Sequence, residues 1–467
     1  MNTLNRITAA ITAFLMIAAY AAAADFNVKD YGAKGNGKQM NTDAFNKAVV
    51  ACSNAGGGRV VVPAGVWLTG TVMMQNNVEL HLEEGALVKG ADSIGEYVGY
   101  VAQKEGFEKY KMAYAEYWNK ALVLAVGKKN VSITGPGCLS GEHVINPEGE
   151  DRSRGPHTIV FAECTNFTLR EFTVIKAGNY AFMGYELKNG VFENLKMREG
   201  FDGIHVRGGR NIIIRNCLFE TGDDAIAGGY WNNFVISDCH VNSTCNGIRI
   251  IYPATDLEIC DCLFKGPGVY PHRSVKSLQG KKLMMAAVNI QPGAWQATHG
   301  PLQNIHIHDI TVDSLRCVFH SDLKTSTWCE DLVIERVKAT QIYDAALQIH
   351  SWKGGTYDEV QLRDIDVQYV GRTDKTAMEA VVKPPLIEAA VLPYWALYAR
   401  NVRNLVLENV NFTYTGSECR GAIGFDNIAD IKMSEVNVME VEGKDKIDPV
   451  NCALTPQSMV KKFIPTR

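Results

Sequence analysis

An excess of charge of either sign is missing from this chain. Its 467 residues carry 47 Lys and Arg against 51 Asp and Glu, a formal net charge of −4. A field that weak gives no reason to expect nucleic acid or an anionic membrane as a partner, so an acidic ligand would have to be held by local Arg and Lys. Cysteine is sparse for the length. Twelve Cys fall below the density of a disulfide scaffold, although one or two bridges are left open. There is no CxxC pair and no His/Cys grouping with zinc spacing, and neither a metal nor a cofactor is expected. The Leu-x-x-Leu-x-Leu signature is absent too, which argues against a leucine-rich horseshoe.

The segment 1–24 reads as a signal peptide. Arg6 supplies a positive charge, positions 7–20 are apolar, and Ala21, Ala22, Ala23 and Ala24 offer a small-residue cleavage site before Asp25. The apolar run is short for a membrane span and ends in small residues rather than a basic stop. Export to the periplasm or the extracellular space is expected, with residues 25–467 as one folded domain, expected to be monomeric.

Repetition organises that domain. Segments opening near Thr165, Lys188, Arg210, Asn232 and Thr255 share one form and recur every 22 or 23 positions: a polar start with Asn or Asp, a short alternating apolar stretch, a polar step, then a second apolar stretch. Looser copies begin at Gln303, Asp331, Asp358, Asn404 and Ala429. Short strands at this period predict an all-β fold, a single-stranded right-handed parallel β-helix, because one coil cannot bury its own apolar face and must stack on the next. Cys217, Cys239 and Cys262 recur in phase and are expected to form a stack of half-buried thiols.

The open end of the stack needs a cover. Asn41 to Asp43 carry helix-start chemistry, and Phe45, Val49, Val50 and Cys52 follow at helical spacing. This predicts an N-terminal capping helix ahead of the first strands at Arg59-Val60-Val61-Val62. Residues 93–120, 266–282 and 378–393 break the period and are expected to be excursions that wall a cleft.

One rung of the repeat carries chemistry. Asp202, Asp224 and Asn246 lie 22 positions apart, and Asp223 precedes the middle one. In a coiled stack, that spacing gathers two or three carboxylates into one patch, where like charges push the proton affinities apart. Such a patch is a candidate acid/base site. Asn and Asp also serve β-helix turns by hydrogen-bonding backbone, so an Asp pair alone would be read as structural.

With Phe201-Asp202-Gly203, Gly222-Asp223-Asp224 and Cys245-Asn246-Gly247-Ile248-Arg249, together with Asp30-Tyr31-Gly32 and Val61-Val62-Pro63-Ala64-Gly65, most of the chain resembles the polygalacturonases and related pectin hydrolases of glycoside hydrolase family 28. The resemblance implies that Asp223 is the general acid. It implies that Asp202 and Asp224 activate the attacking water, giving inversion, on plant cell-wall polysaccharide or its oligosaccharides. The family's His at the third rung is Asn246 here, and its Arg-Ile-Lys, which binds the substrate carboxylate, aligns with Asn289-Ile290-Gln291. Asn246, Asn289, Gln291, Arg249 and His205 are therefore the candidate substrate-binding residues, with Arg207, His272, Arg273 and Lys276 near the same face; the lost charges leave a neutral sugar open, and Arg249 leaves a uronate open as a bidentate partner.

Tyr230, Trp231, Trp295 and Trp352 are candidates to stack on sugar rings. His306 and His308 alternate on one strand face with no third ligand in sight and are read as surface residues. Two other classes stay open: a β-helix lyase using the Asp cluster to hold Ca²⁺, and a carbohydrate-binding protein without activity.

Overall fold

In a computed structural model, the described residues are 24–452, apart from 104, 274–279, 325, 353 and 386. The expected signal peptide, up to position 23, and Lys276 lie outside them. The chain is an all-β parallel β-helix in which almost every strand pairs in parallel with its equivalent one coil away.

The register follows the period read from the sequence. Thr165 pairs with Lys188, Lys188 with Arg210, Arg210 with Asn232, and Asn232 with Thr255. Thr255 then pairs with Gln303 across a longer insertion. Alternation along each strand sends every second side chain inward, so Leu169, Phe192, Ile214, Ile236, Ile259, Ile307 and Ile334 form one continuous buried column. At about 1.5–3 kcal/mol for each fully buried aliphatic or Phe side chain, such columns hold the coils together.

The coil corners are built from Asn. Asn130, Asn166, Asn189, Asn211 and Asn233 all adopt a left-handed backbone, with φ between 54° and 57°, a conformation Asn tolerates better than most residues. Their side-chain amides donate down the stack, Asn189 to Asn166 at 3.0 Å, Asn211 to Asn189 at 2.8 Å and Asn233 to Asn211 at 2.9 Å. Cys217, Cys239 and Cys262 also stack as expected, but fully buried, each thiol donating to the backbone carbonyl two positions back at 3.1–3.2 Å. All twelve cysteines are free, so the bridges left open are not formed.

The capping helix is Thr42–Asn54 and buries Ala44, Phe45, Ala48, Val49 and Cys52. Two details differ from the expectation. Val50 points to solvent. The Asn41 side chain makes no helix-cap bond and instead ties Lys34, Gln39 and Leu68 together through their backbone groups, because the turn before the helix leaves its amide facing the first coils. No helix among the described residues is long and apolar enough to cross a membrane.

Candidate active site

The three carboxylates meet on one flank of the stack. Gly203 N–H donates to the Asp224 carbonyl, and Ala225 N–H to the Asn246 carbonyl, so Asp202, Asp224 and Asn246 are successive rungs of a ladder. Gly247 permits the third rung: a Cβ there would meet the Ala287 carbonyl at 2.5 Å and the Phe264 ring at 2.4 Å. Behind the bend, the Thr221 hydroxyl lies 2.8 Å from Ser243 Oγ and 3.2 Å from the Asp223 carbonyl, which fixes the turn that points Asp223 outward.

One carboxylate oxygen from each of Asp202, Asp223 and Asp224 lies within 4.8 Å of the others, and all three side chains are buried. Asp202 accepts from His205 Nδ1 at 2.7 Å. The tautomer follows from the other side of that ring: Arg207 Nε donates to His205 Nε2 at 3.2 Å, so the proton sits on Nδ1. Burial, and then the Arg207 charge, holds the His205 imidazole neutral by pushing its pKa well down. Asp202 moves the opposite way, well above the usual carboxylate range, because it is buried and faces Asp223 and Asp224. A carboxylate cluster with one member so raised holds a shared proton at higher pH than an isolated Asp would.

Asp224 is held as an acceptor. Its Oδ1 receives the Asn246 backbone N–H at 3.0 Å and side-chain Nδ2 at 2.7 Å, while Oδ2 lies 3.5 Å from Arg249 Nη1. Asn289 Nδ2 donates to Asn246 Oδ1 at 3.1 Å, so the two amides form a relay behind the carboxylate. Asp223, its side chain 11% exposed against 4% for Asp202 and 7% for Asp224, is the member most open to the cleft. It lies 3.3 Å from Arg154 Nη2 and 3.7 Å from His272 Nε2.

The cluster opens onto a cavity of about 1290 Å³, larger than the roughly 300–1,000 Å³ of ordinary ligand pockets. Asp202, His205, Arg207, Asp223, Asp224, Ala227, Arg249 and His272 form its base. Ala227, between His205 and Arg249 in the ladder, leaves space where a longer side chain would fill it. All three excursions reach the cavity, through Lys111, Met112, Tyr117 and Trp118, through His272, and through Lys383, Pro384, Pro385, Ile387 and Glu388.

Asn246, Asn289 and Gln291 are buried and are absent from the cavity lining, where Arg249 lies in front of them. Arg249 pairs in register with Asn289, and its Nη2 donates to Gln291 Oε1 at 3.3 Å. Of the four aromatic candidates only Trp295 lines the cavity, 58% exposed, with the Arg249 guanidinium 5.1 Å from its ring centre. Trp231 is core, stacked on Phe234 at 4.2 Å with its indole N–H on the Val206 carbonyl. Tyr230 stacks on Tyr252, and Trp352 packs on His350 and Arg400. Arg273 contacts His143 and sits 5.2 Å from the Phe201 ring.

Arg154 was not among the sequence candidates. It arrives on a loop around positions 141–156, is nearly buried, and lies over the Phe201 ring at 4.3 Å while donating to Asn179 Oδ1 at 3.3 Å. That loop carries no repeat phase, so only the folded chain brings it to Asp223.

Known proteins of similar sequence and fold act on pectic polysaccharide by their names. The family described as "Rhamnogalacturonase A/epimerase, pectate lyase-like" matches residues 26–249. The exo-poly-alpha-D-galacturonosidase of Dickeya chrysanthemi is 26% identical over 48% of this chain, and the match spans only 44% of that enzyme. The polygalacturonase of Gossypium barbadense is 23% identical, covering 76% of this chain and 87% of its own length. The crystal structure of a hyperthermoactive exopolygalacturonase from Thermotoga maritima superposes with a TM-score of 0.63 at 18% identity, over 84% of this chain and 92% of that one, a likeness of fold. With its own departures at Asn246, Asn289 and Gln291, the chain is similar to the pectate-lyase-like β-helix proteins and to the polygalacturonases of glycoside hydrolase family 28, and divergent from them.

Proposed function

We propose that this protein is an exported glycoside hydrolase of polygalacturonase type that cleaves pectic polysaccharide, galacturonan or rhamnogalacturonan, or its oligosaccharides with inversion. The observation that carries the reading is the buried trio Asp202, Asp223 and Asp224, with oxygens within 4.8 Å of one another at the base of a large cavity. Hydrolysis of a glycoside needs one carboxyl that gives a proton and one carboxylate that takes a proton from water.

Asp223, the most open member, hands its proton to the leaving oxygen. Asp202 and Asp224 hold the water on the opposite side, and the shared proton of the cluster resets Asp223 after each turnover. The oxygen spacing is tighter than the roughly 6.5–9.5 Å between carboxyl groups of most inverting pairs. Here two carboxylates share the water, so the water sits beside the pair rather than between acid and base.

A uronate is the sugar the cavity favours. Arg249 Nε is buried without a protein partner, and its guanidinium lies beside the positions where Asn289 and Gln291 carry no charge. It can take a substrate carboxylate as a charge-assisted pair, with Trp295 as the stacking face. Lys111, Met112, Tyr117 and Trp118 of the first excursion line the cavity, and a loop wall of this kind supports exo action on oligosaccharides. The leader-like segment 1–24 and a polymeric substrate together support export to the periplasm or beyond.

Digestion of homogalacturonan, rhamnogalacturonan and their oligomers tests the reading. Release of reducing ends without an ultraviolet-absorbing unsaturated product, unchanged by chelator, is expected. An unsaturated product that needs Ca²⁺ would indicate a lyase, and glycan binding without any new reducing end would indicate a binding protein.

A further inference from the structure

Outside the cavity lining, on the outer face of the strands Ala254–Cys260, Gly300–Asp313 and Thr327–Ile342, the structure assembles a set of metal-ligating side chains. These strands are adjacent coils. Glu258 pairs with His306, Cys260 with His308, and His308 with Glu335. Because Leu257, Ile259, Ile305 and Ile307 fill the core, Glu258, Cys260, His306 and His308 must all leave the same outer face. His306 and His308 therefore acquire, from the coils on either side, the further ligands that a single strand could not reveal.

The donors converge. His308 Nε2 lies 3.1 Å from Glu258 Oε1, and His306 Nε2 lies 3.1 Å from Glu335 Oε1. The two imidazoles are 4.2 Å apart between ring centres. One donor atom from each of Glu258, Cys260 and His308 falls within 4.8 Å of the others. Ligand atoms around tetrahedral zinc are about 3.3–3.8 Å apart, given bonds of roughly 2.0–2.3 Å, so small rotations would bring Glu258, Cys260 and His308 to bonding distance, with His306 beside His308 as the candidate fourth ligand. Glu335 is shared with Arg336, which leaves Glu258, Cys260, His308 and His306 as the four ligands.

A second feature points the same way. The other nitrogen of His308, Nδ1, lies 2.6 Å from Asp309 Oδ2. Asp309 is itself gripped by Arg336 through Nε and Nη2, both at 2.9 Å. A carboxylate behind a histidine, held rigid by a further partner, is the outer shell that aims the remaining ring nitrogen at a metal.

We propose that Glu258, Cys260, His306 and His308 form a binding site for a borderline divalent transition ion, zinc by the mix of thiolate, imidazole and carboxylate, which staples neighbouring coils of the β-helix. The site is independent of the hydrolase reading.

The test uses the full chain freed of metal by chelation and titrated with Zn²⁺ against a chromophoric competitor, then with Co²⁺ for its thiolate-to-cobalt absorption band. About one ion per chain, the thiolate band and a higher melting temperature with metal are expected. Cys260→Ser should abolish the band, His308→Gln should abolish the thermal shift, and Asp309→Asn should weaken binding by about 10–100-fold. Melting of each metal-free variant at the wild-type temperature verifies folding. Cys245, which lies near Asp223 and His272 in the cleft, supplies the control. A band that survives Cys260→Ser and is lost in Cys245→Ser, or no binding by the wild type at micromolar Zn²⁺, would overturn the proposal.

Discussion

Replacing Arg249 by Gln isolates the group proposed to recognise the acidic sugar. The side chain is buried, with contacts to Asp224 at 3.5 Å and Gln291 at 3.3 Å and a free Nε. A hydrogen bond to a charged group contributes about 1.5–3 kcal/mol. Losing it from a substrate carboxylate should lower kcat/KM by about 10- to 150-fold, at about 1.36 kcal/mol for each factor of ten. The same change also removes a neighbour of Asp224, which slows every substrate alike. The informative quantity is therefore the ratio of kcat/KM for oligogalacturonide to that for its methyl ester, measured by reducing-end release in wild type and variant. The Arg249 assignment predicts that this preference for the free acid collapses by one to two orders of magnitude. An equal loss on both substrates would make Arg249 a positioning residue for Asp224, and no loss on either would remove it from the site altogether; both results refute the reasoning.

Other consequences follow from the same geometry. Asp202→Asn should inactivate the enzyme yet raise its melting temperature at pH 7. The folded pKa of Asp202 is raised above its ordinary 3.8, so its favourable contribution is complete below the unfolded value and is lost as pH rises through the folded one. The advantage of the Asn variant in melts across pH should therefore vanish below about pH 4, and a variant no more stable than wild type at neutral pH would contradict the assignment. Gly228→Ala should destabilise the fold by about 2 kcal/mol or more: Gly228 has φ 136°, and an added Cβ would stand 1.9 Å from the Val206 carbonyl, which also accepts the Trp231 indole. Urea unfolding measures it, and a change below about 0.5 kcal/mol would show that the coil relaxes there.

The parts of the site that share the coil period were legible in the sequence. Asp224 and Asn246 stand one coil apart, as Asp202 and Asp224 do, so spacing alone predicts adjacency, and the Cys217, Cys239 and Cys262 stack obeys the same rule. What lies off the period was not legible. Arg154 reaches Asp223 across 69 positions on a loop without repeat phase. Trp231 reads as a loop aromatic, but its indole fits inside the corner below Val206. His306 and His308 read as isolated because their neighbours Glu258 and Cys260 lie on the far side of an insertion that breaks the repeat. Asn246 was legible as a departure, but its work is visible only in three dimensions, where it spends its amide on Asp224.

The central claim is that Asp223 protonates the leaving oxygen while Asp202 and Asp224 direct water to the opposite face. Proton NMR of the first sugar released from an α-linked oligogalacturonide, recorded before mutarotation, tests it most directly. The account predicts the β anomer at the new reducing end, with no product from Asp223→Asn. An α anomer, or undiminished turnover by Asp223→Asn, would contradict it.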